Sequence, residues 1–247
     1  MNQMNVWGMT DIGLVRKENQ DAYVTAQHTA SGRTVGVVCD GMGGPAGGRV
    51  ASQIAVSVYL EELEKLLTAD QTPQQLLEAS AQAAALANQA IQAEAERREE
   101  CRNMGTTLVS AISYDGGVVV TNVGDSRAYH ITEDGITRIT KDHSLVESMV
   151  DRGDITAEEA RRHPSRNLIT RALGPDISAD CDGYICPMNA GELLLCSDGL
   201  VNTVTDQEML FEVIHGDGPD TCLDRLLAIA KRQGAPDNVT AVLMQKQ

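Results

Sequence analysis

Five aspartates, Asp21, Asp40, Asp125, Asp198 and Asp237, stand where an apolar run begins or ends. Asp40, Asp125 and Asp198 close VGVVCD, VVVTNVGD and ELLLCSD, whereas Asp21 and Asp237 open DAYVTAQ and DNVTAVLM. Read as strands, antiparallel neighbours bring the start of one run beside the end of the next. The polar stretch HTASGR joins DAYVTAQ to TVGVVC, so a hairpin returns Asp40 to the neighbourhood of Asp21. Carboxylates gathered at one sheet edge repel by roughly 4 kcal/mol per pair at about 4 Å in an effective dielectric of about 20. Hard divalent cations relieve that repulsion and prefer oxygen ligands. A water bridging two such cations loses a proton near neutral pH and becomes a nucleophile. The chemistry these residues suit is metal-dependent hydrolysis. Singly, each aspartate is an ordinary turn residue; the repeated placement at strand ends carries the argument.

Periodicity and turn chemistry predict the strands and helices that carry these aspartates. Residues 6–39 read as strands, and residues 105–140 return to strands in TTLVSAIS, GVVVTNV and SRAYHIT. Between them, an amphipathic helix is expected over 49–67, with Val50, Ile54, Val58 and Leu60 near one face. Thr72-Pro73-Gln74-Gln75 combines an N-cap, a first-turn proline and a capping-box glutamine. It opens an Ala-rich helix running towards Arg102, whose small face (Ala79, Ala83, Ala87, Ala90) suits close packing. Residues 141–175 are charged and hold Pro164 and Pro175, with one short helix marked by Thr156-x-x-Glu159. Strand ELLLCS, two helices (the first opened by Thr205-x-x-Glu208) and strand VTAVLM complete the chain. Helices grouped between antiparallel runs indicate an α+β sandwich, α/β/β/α, of two antiparallel sheets flanked by helices. No tandem repeat or linker divides residues 1–247, so one domain is expected.

Composition narrows the classes. The 20 basic and 35 acidic residues give a net charge of −15, which argues against nucleic acid or an anionic membrane as the main partner. Apolar stretches fall well short of the roughly 18 residues of a membrane span. The six cysteines form no CxxC pair, and without a signal peptide they suit free thiols in a reducing cytoplasm. A cytoplasmic monomer is expected. Gly41-Met42-Gly43-Gly44-Pro45-Ala46 satisfies the GxGxxA dinucleotide spacing. Against that reading, Asp40 would set negative charge beside a pyrophosphate, and no acidic strand end follows about 20 residues later. The glycines instead allow a sharp turn that offers the Gly41 carbonyl to a metal held by Asp40. No DxDxDG loop with the terminal glutamate of an EF-hand is present.

The strings TDIGLVRKENQDAY, VVCDGMGGPAGG, GTTLVSA, VGDSRAY, ITRALG, LLLCSDGL and GAPDNVTAV occur in the order typical of type 2C (PPM) metal-dependent serine/threonine protein phosphatases. Over about residues 5–245 the chain resembles the compact bacterial members. The resemblance implies hydrolysis of phosphoserine and phosphothreonine in proteins by attack of a metal-bridging hydroxide, without a covalent phosphoenzyme. The cofactors would be Mn²⁺ or Mg²⁺, two ions with a third, weaker one. Asp40 would bridge the first two ions, with the Gly41 carbonyl on the first. Asp198 and Asp237 would hold the second, with Asp21 on that side directly or through water. Asp125 would hold the third, shared with Asp198. Arg16, five residues before Asp21, matches the phosphate-clamping arginine. Residues 144–175 match the family's flap. A serine/threonine kinase would be the physiological opposite, and regulation would come from outside the chain or through metal supply.

Two points stay open at this level. Animal relatives carry a histidine directly after the Asp-Gly pair, where this chain has Met42; at position 45, histidine in some bacterial relatives, it has Pro45. The leaving alcohol would then take its proton from metal-held water, with His143 and His163 as alternative donors. The flap arginines (Arg152, Arg161, Arg162, Arg166, Arg171) suit acidic or phosphorylated substrates or, equally, a solvated helix carrying Glu158 and Glu159. A pseudophosphatase is the rival from another class, and the intact ligand set speaks against it.

Overall fold

Strands covered on both faces read as unbroken apolar runs, and strands at a sheet edge alternate. Both kinds occur in the computed structural model, which describes residues 4–216 and 218–246, except for the side chains of residues 45 and 46. Strands β1 (Met4–Asp11), β2 (Asp21–His28) and β3 (Arg33–Met42) lead into helices α1 (Gly44–Leu66) and α2 (Pro73–Arg97). Strands β4 (Gly105–Thr106), β5 (Leu108–Tyr114), β6 (Gly117–Val123), β7 (Arg127–Thr132) and β8 (Gly135–Arg138) follow. The flap carries α3 (Leu145–Asp151) and α4 (Ala157–Arg162), after which β9 (Asp182–Pro187) and β10 (Glu192–Cys196) return to the sheets. Helices α5 (Asp198–Val201), α6 (Asp206–His215) and α7 (Pro219–Arg232) precede β11 (Val239–Lys246).

One sheet runs β1-β11-β10-β7-β8, the other β2-β3-β5-β6-β9 with β4 on β3, and every pairing is antiparallel. Val38, Val109, Val120, Leu193, Leu195 and Val242 fill the space between the sheets. A second apolar layer joins α1 and α2 to β3, β5 and β6, and a third seats α5, α6 and α7 on β10 and β11. The expected α/β/β/α sandwich is thus the observed one. Its helix layer is pinned by buried hydroxyls, which are hydrogen-bonded as burial demands. Tyr59 Oη lies 2.5 Å from Ser80 Oγ and 2.6 Å from Ser110 Oγ, and Ser80 donates to Thr121 Oγ1 at 2.6 Å.

The differences from expectation have physical causes. Helix α1 begins five residues early, because the glycine-rich stretch is already helical from Gly44 with proline in its first turn. Its buried stripe is Ala51, Ala55, Tyr59 and Leu63, while Val50, Ile54 and Val58 flank it partly buried. Helix α2 stops at Arg97, and a 3₁₀ turn covers Glu99–Cys101. On its small face Ala79, Ala83 and Ala87 are buried, whereas Ala90 is half-buried. Helix α3, capped by Ser144, and strands β8 and β9 are additions. Strand β9 is an edge strand with alternating exposure, and its Asp, Gly and Pro give it little strand propensity.

Candidate active site

The ends of β3 and β10 and the starts of β2 and β11 face one cleft of about 580 Å³, lined by Asp40, Gly41, Asp125, Asp198, Asp237 and Arg16 among others. Register places Asp21 directly opposite Asp40, as the hairpin reading expects. Asp125 sits in the β6–β7 turn, where Gly124 takes φ +103. A side chain at 124 would come within 2.6 Å of the Thr107 methyl, so glycine is required there on two counts.

Neutral groups hold the carboxylates, except at Asp237, where Arg16 also reaches. The Asp40 N–H donates to Thr107 Oγ1 at 2.9 Å, and its carbonyl accepts from the Thr107 N–H and Thr106 Oγ1, each at 2.9 Å. Ser197 Oγ donates to Asp21 Oδ2 at 2.8 Å, and Asn202 Nδ2 to Asp198 Oδ2 at 3.1 Å. The Asn238 N–H donates to Asp237 Oδ1 at 2.8 Å, and Arg16 Nη2 meets Asp237 Oδ2 at 2.5 Å. Gly41 and Gly48 pack so closely that a Cβ at 48 would lie 2.7 Å from the Gly41 carbonyl oxygen. The glycine-rich loop therefore serves the approach of α1 to the end of β3.

Burial, first, and then neighbouring negative charge raise these acids. Asp40 is pushed well above the carboxylate range by burial and then by Asp21, Asp198, Asp125 and Asp237. Burial raises Asp125 to about 8, with Asp198 and Asp142 adding to it. Burial raises Asp21 to about 6 against the hydrogen bonds of Thr240 and Ser197. Asp198 is raised by burial and by Asp237. Among the described residues no three acidic, His or Cys side chains are grouped so as to hold a metal ion, and several carboxylate oxygens are turned to Ser197, Asn202, Asn238 and Arg16. Two buried oxygens, Asp21 Oδ1 and Asp198 Oδ1, nevertheless have no hydrogen-bond partner. Orphan acceptors in a cluster of like charges are what oxygen-seeking divalent cations satisfy, so the donor set fits the implied metals.

Met42 lines the cleft, and the side chain at position 45 lies outside the described residues. His143 is buried and engaged on both ring nitrogens, and His163 Nδ1 accepts from the Ser165 N–H at 3.1 Å. Neither histidine lines the cleft. Of the flap arginines, Arg152 pairs with Asp154, Arg162 with Glu158 and Arg171 with Asp182. Sequence reasoning missed Asn238, which is 4% exposed and holds the loop bearing Arg16. Its Nδ2 donates to the Ile12 and Glu18 carbonyls at 3.0 and 3.1 Å, and its Oδ1 accepts from the Gln20 N–H at 2.8 Å. The only signal was its position beside Asp237.

An antiparallel α/β/β/α sandwich thus gathers acids from both sheets around one cleft. The sequence pattern of the protein phosphatase 2C family matches residues 15–242, and the chain belongs to that family. It is similar to the serine/threonine phosphatase stp of Listeria innocua, with 35% identity over 96% of this chain and 94% of that one. The crystal structure of Stp1 from Staphylococcus aureus superposes with TM-score 0.92 at 34% identity, covering 100% of this chain and 96% of that one. The PstP catalytic domain in complex with two manganese ions gives TM-score 0.80 at 32% identity, covering 98% of each chain.

Proposed function

We propose that this chain is a protein serine/threonine phosphatase acting on phosphoserine and phosphothreonine through the Asp40 cluster. The observation that carries it is the convergence of Asp40, Asp125, Asp198 and Asp237 at one cleft, with Asp21 buried opposite Asp40 behind them and orphan acceptors on Asp21 and Asp198. Asp40, the Gly41 carbonyl, Asp198 and Asp237 would hold two Mn²⁺ or Mg²⁺ ions, with Asp21 beside them, and Asp125 with Asp198 a third. When bound, the ions supply acidified water for direct attack on phosphorus, without a phosphoenzyme, and positive charge beside the phosphoryl oxygens. The chain's own part is positional. Thr106 and Thr107 fix the backbone of Asp40, and Ser197 orients Asp21. Arg16, half-exposed at the cleft mouth, offers a planar pair of donors to a phosphate.

Residues 1–247 act as one phosphatase domain, monomeric and cytoplasmic, on phosphoproteins made by a serine/threonine kinase. All six cysteines are free thiols, which supports a reducing compartment. No helix among the described residues is long and apolar enough to cross a membrane.

Hydrolysis of p-nitrophenyl phosphate and a phosphothreonine peptide tests the reading, with Mn²⁺, with EDTA, and with Asp198→Asn. Mn²⁺-dependent turnover lost in EDTA and in the variant is expected. A folded, Mn²⁺-loaded protein without turnover would favour a phosphoprotein-binding role.

A further inference from the structure

The flap must return to the sandwich at its C-terminal base, and one buried side chain stands where it does so. His143 is 7% exposed. Its main chain is paired twice: the His143 N–H donates to the Gly124 carbonyl at 2.9 Å, and the Thr170 N–H donates to the His143 carbonyl at 2.8 Å. Its ring is engaged twice as well. The Gly124 N–H donates to Nδ1 at 3.1 Å, and Nε2 lies 3.1 Å from Asp182 Oδ2. Arg171 Nη1 lies 3.0 Å from Asp182 Oδ1 and 3.3 Å from the same Nε2.

This pattern fixes the tautomer. A nitrogen that accepts from an N–H carries no proton, so Nδ1 is bare and Nε2–H donates to Asp182. His143 thus links Asp182 on β9 and Arg171 of the flap to Gly124, whose next residue is Asp125. The remainder of the flap is held differently. Helix α3 is tied by Arg138 to Glu147 at 2.9 Å and by the Lys141–Asp151 ion pair, and α4 buries no residue.

We propose that His143 is a positioning residue, which sets the turn presenting Asp125 and couples it to the C-terminal base of the flap. The inference rests on the reading of Asp125 as a cation ligand. A single side chain then serves two functions with different atoms: Nδ1 orders the Asp125 turn, and Nε2 anchors the flap.

Two substitutions separate the atoms. His143→Asn keeps an acceptor where Nδ1 sits and loses the reach to Asp182, whereas His143→Gln reaches towards Asp182 and gives up the acceptor for Gly124. Free Mn²⁺ is titrated into each protein by electron paramagnetic resonance, with Asp125→Asn as the reference. In H143Q the weakest Mn²⁺ step should weaken about tenfold, and in H143N it should stay within about twofold of the unsubstituted protein. H143N should instead be cut by trypsin several-fold faster within residues 152–166, where Arg152, Arg161, Arg162 and Arg166 are exposed.

Identical behaviour of the two variants, whether both unchanged or both equally impaired, would overturn the assignment. An Asp125→Asn protein with an unaltered titration would sink the ligand reading itself, and the proposal with it. Imidazole ¹⁵N shifts of the unsubstituted protein give a check that requires no variant to fold. They should show His143 protonated at Nε2, and an Nδ1–H ring would refute the network.

Discussion

Removing divalent cations should make this fold lose stability as pH rises, the reverse of an ordinary acid-sensitive domain. The cause is the carboxyl cluster. Burial and like charge raise Asp21 from 3.8 to about 6 and Asp125 to about 8, and raise Asp40 and Asp198 as well. In the unfolded chain these groups release their protons near 3.8, so across the interval the folded state binds more protons. Stability then falls with pH by about 1.36 kcal/mol per unit for each such group. Asp21 alone removes about 3 kcal/mol between about pH 4 and about pH 6, and Asp125 extends the fall to about pH 8. For a chain of this size about 3 kcal/mol is roughly 6–12 °C in Tm. Asp11 and Asp182 are lowered, by hydrogen bonds and cationic neighbours that outweigh burial, so their contribution is lost only below the ordinary carboxylate range. Scanning calorimetry in EDTA from about pH 5 to about pH 8 therefore isolates the raised groups. Saturating Mn²⁺ should cancel the slope, because ligand carboxylates must be deprotonated to bind, and Asp40→Asn should flatten it. A stripped protein whose Tm is level or climbs across that range would refute the account of the cluster.

Three further outcomes follow from the supporting residues. Asn238→Ala leaves buried backbone groups of the Arg16 loop unpaired, at about 1–3 kcal/mol each; urea unfolding should show a loss of about 2–4 kcal/mol, and KM for a phosphopeptide should rise. Gly48→Ala reverses a general rule, since alanine within a helix normally gains about 1 kcal/mol over glycine. Here the new Cβ meets the Gly41 carbonyl and Gln20 Oε1, each at 2.7 Å, so Tm should fall and Mn²⁺ affinity with it. Arg16→Ala breaks an ion pair whose arginine is 50% exposed; stability should change by less than about 1 kcal/mol, while kcat/KM for a phosphothreonine peptide drops at least about tenfold.

How far the site was legible in the sequence depended on the range of the interaction. Thr72 with Gln75, Thr156 with Glu159 and Thr205 with Glu208 form the capping boxes that their spacing announces. The aspartates were legible because strand ends are local features, and the Asp21–Asp40 pairing followed from a single hairpin. Strand β9 was hidden because edge pairing with β6, not composition, makes it a strand. The buried face of α1 turned away from the valines because Tyr59 has hydroxyl partners on α2 and β5. Asn238 and Ser197 escaped because each serves a group about 176–226 residues distant in sequence, and no periodicity encodes such a bond.

The nature of these hidden supports also explains how the cluster remains open to cations. A lysine or arginine embedded among the five acids would neutralise them permanently and compete with a divalent ion for the same oxygens. The groups found beside Asp21, Asp40 and Asp198 are hydroxyls, amides and backbone N–H, which orient carboxylates and leave their charge unbalanced. Arg127, a half-buried guanidinium whose charge reaches Asp125 and Asp198, is held by Asp142 through Nε at 2.9 Å and Nη2 at 2.6 Å, which offsets much of that charge. Arg16 is the exception, and it sits on Asp237 at the exposed mouth, where an ion pair is worth at most about 1 kcal/mol. A phosphate, with more charge and two oxygens that can accept from the planar guanidinium fork together, displaces such a pair at little cost. The sandwich thus orients its acids largely with uncharged groups and places a releasable cation, Arg16, at the mouth of the cleft.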